Sequence, residues 1–238
     1  MNIVALMIGK KNSSGVPGKN ISNVLGKKLC EYPLIAAKNT KSISEVFVST
    51  NCNIIEKVGL EYGCNIIKRP PKFDDPDTLT EDVLSHAHLE IKKKFKKKID
   101  YYVLLYANGG FINENLINSA ITKLKGKPSF DSCVGTVSAD MFTPIRAKKI
   151  TNDGELKPFI DLNFFENISS NRDSAGKAYF IDLSLQIIKP HCFETMNGNQ
   201  KPFLWLGNKI LSFEKDFGGD LDAYWQYPVL ESWLNKQK

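Results

Sequence analysis

Apolar residues in this chain alternate between short unbroken runs and stretches at helical spacing. Ile3-Val4-Ala5-Leu6-Met7-Ile8, closed by Gly9, predicts a buried strand. Lys28 to Lys38 carries apolar residues at helical intervals, with Pro33 near its start, where a proline is tolerated in a first turn. Ser44 to Thr50 is β-branched and aromatic, Asn53 to Tyr62 returns to helical spacing, and Asn65 to Lys68 is short and strand-like. This β-α-β-α-β order predicts an α/β protein with a mostly parallel sheet and helices on both faces. In such a sheet, ligands bind beyond the carboxyl ends of the strands.

After Arg69-Pro70-Pro71 and a polar loop, Thr80 to Lys94 predicts a helix, with Thr80 or Asp77 as its cap. A strand at Tyr101 to Leu105, a helix from Asn113 to Leu124 and a buried strand at Ser132 to Val137 follow. From Asp140 to Arg172 the periodicity dissolves into polar pieces studded with Phe159, Phe164 and Phe165. Such apolar residues outside a core mark either a partner contact, most simply a second copy of the chain, or packing back on the same domain. The chain returns at Ala178 to Ile181, forms a strand near Lys209 to Phe213 and ends in an amphipathic helix from Asp222 to Leu234. No repeat or linker divides it, so residues 1–238 are expected to form one domain, with 140–172 protruding.

Composition changes this picture little. The 238 residues carry 42% hydrophobic side chains and a formal charge of +6, enough apolar material for one large core. Much of the positive excess sits between Lys92 and Lys98, where a helix end accounts for it, and no aromatic-rich RNA motif accompanies it. Nucleic acid is therefore not the expected partner. The five cysteines are scattered, odd in number and never spaced as Cys-x-x-Cys, which argues against a zinc site or a disulfide framework. Met1 runs directly into a strand, and no apolar run approaches the roughly twenty residues of a membrane span. A cytoplasmic protein without membrane contact is expected.

The candidate chemistry lies in loops. Gly9-Lys10-Lys11-Asn12-Ser13-Ser14-Gly15-Val16-Pro17-Gly18-Lys19-Asn20 holds three glycines, two serines and three lysines directly after the first strand. Backbone N–H groups and ammonium groups in such a loop suit a polyanion. Its spacing fits neither a Walker loop nor a dinucleotide fingerprint. Tyr106-Ala107-Asn108-Gly109-Gly110 is a second small-residue loop at a strand's carboxyl end, facing the same cleft. Asp220-Leu221-Asp222 follows Gly218-Gly219. Alternate residues of an extended segment project to one side, so the two carboxylates suit Mg²⁺ shared with substrate phosphates. The same spacing serves equally well for a cap on the last helix. Arg146 and Arg172, in irregular chain, suit bidentate capture of a carboxylate or phosphate. His86, His88 and His191 have no metal spacing and read as structural or solvent-facing.

Taken in order, these motifs resemble the acylneuraminate cytidylyltransferase family, enzymes that make CMP-activated acidic sugars from CTP. The loop from Gly9 to Asn20 carries the resemblance first. It continues through Val48-Ser49-Thr50, Arg69-Pro70, Asp77-Thr78, Leu104-Leu105 and Asp220-Leu221-Asp222, over most of the chain. The resemblance implies a Rossmann-like nucleotidyltransferase fold, Mg²⁺ dependence, and a homodimer whose protruding segment reaches the partner's site. Lys19 and Lys10 would meet the triphosphate, and Asp220 and Asp222 would bind the metal. Gly9, Asn12, Ser13, Ser14, Gly15, Gly18, Asn20, Arg69, Asp77 and Thr80 would contact the nucleotide. Tyr106, Asn108, Arg146 and Arg172 would face the acceptor. Lys10 stands where the family usually has Arg, and Ser14 where it usually has Lys. Tyr106 to Gly110 replaces the usual Gln-Pro-Thr-Ser-Pro. The implied reaction is transfer of CMP to a sialic-type acid with release of pyrophosphate. A phosphonate or other small acid as acceptor, or a non-catalytic nucleotide-binding relative, are the alternatives.

Overall fold

Strand β1 (Ile3–Gly9) is buried along its whole length. Its alternate residues feed two cores: Ile3, Ala5 and Met7 on one face of the sheet, Val4, Leu6 and Ile8 on the other. A strand covered on both sides has no polar face to show, which is why it reads as an unbroken apolar run. A computed structural model describes residues 1–237 except 11–14, 74, 76, 140, 141, 166, 167, 172, 173 and 175.

After β1 come the hairpin β2 (Asn23–Val24) and β3 (Lys27–Lys28), α1 (Glu31–Asn39), β4 (Ile43–Thr50), α2 (Asn53–Glu61) and β5 (Asn65–Lys68). The middle of the chain supplies α3 (Thr80–Lys94), β6 (Tyr101–Tyr106), α4 (Glu114–Lys125) and β7 (Ser132–Ser138). An exposed hairpin, β8 (Lys148–Ile150) and β9 (Leu156–Pro158), precedes β10 (Tyr179–Ile188), α5 (His191–Glu194), β11 (Ile210–Glu214) and α6 (Gln226–Asn235). The main sheet has seven strands in the order β11-β7-β10-β6-β1-β4-β5. Its pairs are parallel except where β10 runs against β6 and β7. Helices α1, α2 and α4 pack on one face, α3 and α5 on the other. Among the described residues no helix is long and apolar enough to cross a membrane.

The order of strands places the site. From β1 the chain builds outward through β4 and β5, then crosses back by α3 to add β6 on the other flank of β1. Connections leaving β1 and β6 in opposite directions open a crevice at their carboxyl ends.

Four expectations are corrected. Lys28 belongs to the small hairpin, whose turn places Leu25 and Gly26 at φ 47° and 86°, so α1 starts at Glu31. Leu79 occupies the N-cap of α3 in extended conformation, and neither Thr80 nor Asp77 caps it. Strand β10 runs ten residues, well beyond Ile181, because its buried Asp182, Ser184 and Gln186 interrupt the apolar pattern. The last helix starts at Gln226, and neither Asp220 nor Asp222 caps it. Instead Gln226 Oε1 accepts from the N–H groups of Asp222 and Ala223, each at 2.7 Å, and its Nε2 donates to Asp220 O at 3.0 Å. The five cysteines are free and buried.

Candidate active site

A cavity of about 250 Å³ opens at the carboxyl ends of β1 and β6. Its first wall is the end of β1 and the turn after the glycine-lysine loop, with Gly9, Lys10, Lys19 and Asn20. Gly9 is required by packing, since a Cβ there would stand 2.7 Å from Ala107 Cβ. Gly18 enters the turn Lys19–Ile21 at φ 69°, a left-handed conformation that glycine adopts without penalty. Asn20 Nδ2 donates to Lys10 O at 2.9 Å and so ties the two ends of the loop together. Gly15 lies against the other wall, where a Cβ would come within 2.8 Å of Asp222 O. Asn12, Ser13, Ser14 and Arg172 lie outside the described residues.

The second wall comes from the far end of the chain. Asp220 and Asp222 line the cavity, and Lys19 Nζ makes an ion pair with the Asp222 carboxylate. Asn108, from the loop after β6, donates through Nδ2 to Asp220 Oδ2 at 3.1 Å and to Leu221 O at 3.3 Å. The Leu221 N–H returns a bond to Asn108 O at 3.1 Å. Burial, and next the charge of Asp222, push the Asp220 carboxyl above its ordinary pKa, while Asn108 and Lys19 pull the other way. Gly109 and Gly110 let this loop approach its neighbours: a Cβ on Gly110 would stand 2.6 Å from Leu230 Cδ2.

The third wall is the segment from Arg69 into α3. Arg69 donates through Nε to Ser49 Oγ at 3.1 Å and through a terminal nitrogen to Ser49 O at 2.7 Å, which holds its guanidinium at the end of β4. Phe73, Asp75, Thr78, Thr80 and Val83 complete this wall. Asp77 does not line it; its N–H donates to Asp75 Oδ1 at 2.8 Å. Tyr106 lines the cavity beside Asn108, its phenol raised well above the ordinary pKa by burial. Arg146 stands apart, exposed, with a terminal nitrogen 3.5 Å from Ser170 O.

Phe73, Asp75 and Val83 escaped the sequence reading: Phe73 and Asp75 lie in a polar loop with no period to read, and Val83 reads simply as an apolar position of α3. Also missed were Asp182 and Lys215, a buried ion pair beneath the second wall. Among the described residues no group of three or more His, Cys, Asp or Glu side chains is placed to hold a metal unaided. Two carboxylates at a cavity mouth, one of them disfavoured as an anion by burial and by its neighbour, fit a hard divalent cation that completes its shell with phosphate oxygens.

A mostly parallel sheet with helices on both faces and a crevice at the carboxyl ends of its central strands is a Rossmann-like fold. Solved structures agree. CMP:2-keto-3-deoxy-manno-octonic acid synthetase complexed with CTP superposes with TM-score 0.69 at 15% identity, covering 100% of both chains. 4-Diphosphocytidyl-2C-methyl-D-erythritol synthase from Anaerococcus prevotii superposes with TM-score 0.62 at 15% identity, over 98% of this chain and 96% of that one. Residues 7–170 match the cytidylyltransferase family model, and the chain belongs to that family. It is a CTP-dependent nucleotidyltransferase. CMP-N,N'-diacetyllegionaminic acid synthase of Legionella pneumophila is 29% identical over 201 residues, 81% of this chain and 83% of its own length. A pseudaminic acid cytidylyltransferase and UDP-2,4-diacetamido-2,4,6-trideoxy-beta-L-altropyranose hydrolase of Helicobacter pylori is 24% identical over 200 residues. That match spans 82% of this chain and 36% of the relative. N-acylneuraminate cytidylyltransferase A of Danio rerio is 25% identical over 154 residues, 65% of this chain and 34% of its own.

Proposed function

We propose that this protein transfers CMP from CTP to a nonulosonic acid. An acceptor oxygen attacks the α-phosphorus of CTP, an O–P bond forms, and the bond to the β-phosphate breaks to release pyrophosphate. The observation that carries this reading is the meeting, in one crevice, of Lys10 and Lys19 with Asp220 and Asp222, from opposite ends of the chain. Its kinship with nonulosonic acid synthases supports the choice of acceptor.

In this reading Lys10 and Lys19 neutralise the triphosphate, and backbone donors of Ser13 to Gly18 would cradle it. Asp220 and Asp222 are the residues that would hold Mg²⁺, which supplies charge neutralisation and polarisation at the phosphate. Arg69, Thr78 and Thr80 line the nucleoside end of the cavity, while Tyr106 and Asn108 face the acceptor. Arg146 and Arg172 reach the acceptor's carboxylate from a second copy of the chain, which makes the working unit a homodimer. The exposure of Phe159 (62%) and Phe164 (83%) on the protruding segment supports that assembly. In this reading the protein works in the cytoplasm, drawing on the CTP pool there.

The test is pyrophosphate release with Mg²⁺ and CTP, ATP, GTP or UTP against nonulosonic acids, 3-deoxy-octulosonic acid and simple phosphonates. Release is expected with CTP and a nonulosonic acid. Release with a phosphonate alone would reassign the acceptor and make the loop from Tyr106 to Gly110 the determinant. CTP binding without release for any acceptor would make the protein a non-catalytic relative.

A further inference from the structure

Asp182 on β10 and Lys215 after β11 are 1% and 7% exposed. A buried ion pair is a poor way to stabilise a core, because desolvating two charges costs about what their attraction returns, and apolar residues of similar volume serve as well or better. This pair is nevertheless built in with care. Strand β7 places Gly135 opposite Asp182, where a Cβ would stand 2.9 Å from Asp182 Oδ2 and 3.2 Å from Lys215 Cδ. A Cβ on Gly218 would stand 2.7 Å from the same carboxylate. Two glycines therefore make the room that the pair occupies.

Its hydrogen bonds lead to the cleft. Asp182 Oδ2 takes the Lys215 ammonium and the Ser184 hydroxyl, the latter at 2.8 Å. Oδ1 accepts the Ser184 N–H at 3.0 Å and the Gly219 N–H at 2.8 Å. Gly219 precedes Asp220 and turns the chain at φ 111°, so its amide fixes the direction in which Asp220 leaves. Lys215 Nζ also donates to Phe111 O at 2.6 Å. Phe111 closes the loop that carries Asn108, whose side chain holds Asp220 Oδ2. The pair thus grips both segments that meet at Asp220.

We propose that Asp182 and Lys215 are positioning residues for the metal-binding carboxylates, acting on Asp220 through the Gly219 amide and the loop from Ala107 to Phe111. This rests on the reading of Asp220 and Asp222 as metal ligands. Removing the grip weakens divalent-ion binding about tenfold or more, the scale seen when groups that orient metal ligands are lost, while CTP saturation at high metal concentration changes little.

The experiment measures Mn²⁺ affinity by electron paramagnetic resonance with CTP present, on three variants of the full chain. Asp182→Leu with Lys215→Met keeps the volume apolar but removes the acceptor for Gly219, and is expected to bind Mn²⁺ at least tenfold more weakly. Asp182→Asn with Lys215→Met keeps a carbonyl acceptor for Gly219 but removes the donor to Phe111 O, and is expected to bind Mn²⁺ with an affinity between wild type and the leucine-methionine variant. Asp220→Asn is the control for the carboxylates themselves. Wild-type affinity in the leucine-methionine variant, with loss in Asp220→Asn, overturns the inference alone. Wild-type affinity in Asp220→Asn overturns the metal reading and this inference with it. Independently of folding in any variant, hydrogen exchange on the wild type is expected to find the Gly219 amide protected without metal. Exchange there as fast as at an open loop amide would overturn the grip.

Discussion

Lys19 and Asp222 are unequal partners. The lysine side chain is 9% exposed and the aspartate 61%, so one end of the ion pair sits in the wall of the cleft and the other in water. Screening keeps such a pair worth little to the fold, and in the proposed function the ammonium exchanges the carboxylate for a phosphate. Lys19→Ala should therefore leave the melting temperature nearly unchanged while lowering kcat/KM for CTP by about 10²–10³-fold, the usual effect of losing one preorganised group that stabilises charge in the transition state. A pyrophosphate-release assay beside a thermal melt checks both halves. A variant with near-normal turnover would remove Lys19 from the mechanism.

At the scale of elements, α3 shows how one polar residue is accommodated in a core. His88 is 3% exposed on its inner face, with Nδ1 2.9 Å from the Tyr102 hydroxyl, its ring edge-on to Phe193 and Nε2 3.3 Å from Glu194. Burial lowers its pKa, with Glu194 opposing and Lys92 assisting. Because the unfolded chain binds this proton near the ordinary value of about 6.5 and the folded chain only at lower pH, stability is full above that value and is lost as pH falls below it. Melting temperatures recorded from about pH 7.5 to about pH 5.5 should fall, and His88→Gln should flatten that slope. A slope unchanged in the variant would place the titrating group elsewhere.

Elements were legible where burial leaves a simple pattern. Helix α3 has the bounds expected from its spacing, Thr80 to Lys94, and β1, β4 and β6 stand out as apolar runs. Legibility failed where polar side chains turn inward. Asp182, Ser184 and Gln186 hide most of β10, and Gln226 delays α6 by bonding the preceding backbone. For the site, glycines beside lysines and aspartates at alternate positions are local signals, so Lys19 and Asp220 could be picked from the sequence. Asp182 and Lys215 lie 33 positions apart and look like any surface charges until the sheet brings them together. No local pattern encodes a contact of that kind.

For the whole molecule, apolar surface is concentrated on the segment that leaves the sheet between β7 and β10. Ile150, Leu156, Phe159 and Phe164 are each more than 60% exposed there. A second copy of the chain covering this face is part of the proposed function. Ile150→Lys with Phe164→Asp should then weaken the dimer at least about tenfold, by analogy with buried interface anchors, as read by sedimentation velocity over a concentration series. A wild-type chain that sediments as a monomer at all concentrations would refute the dimer.

The Lys19–Asp222 contact joins positions 203 apart. During synthesis the glycine-lysine loop emerges early, yet the carboxylates of the opposite wall leave the ribosome only after the sheet's last strand has been made. A nascent or prematurely terminated chain can thus carry the lysines of the site without its aspartates. With Asp220 and Asp222 as the proposed metal ligands, catalytic competence arrives late in translation, after the scaffold that must hold it, and a prematurely ended product is expected to be inert towards CTP turnover rather than partly active.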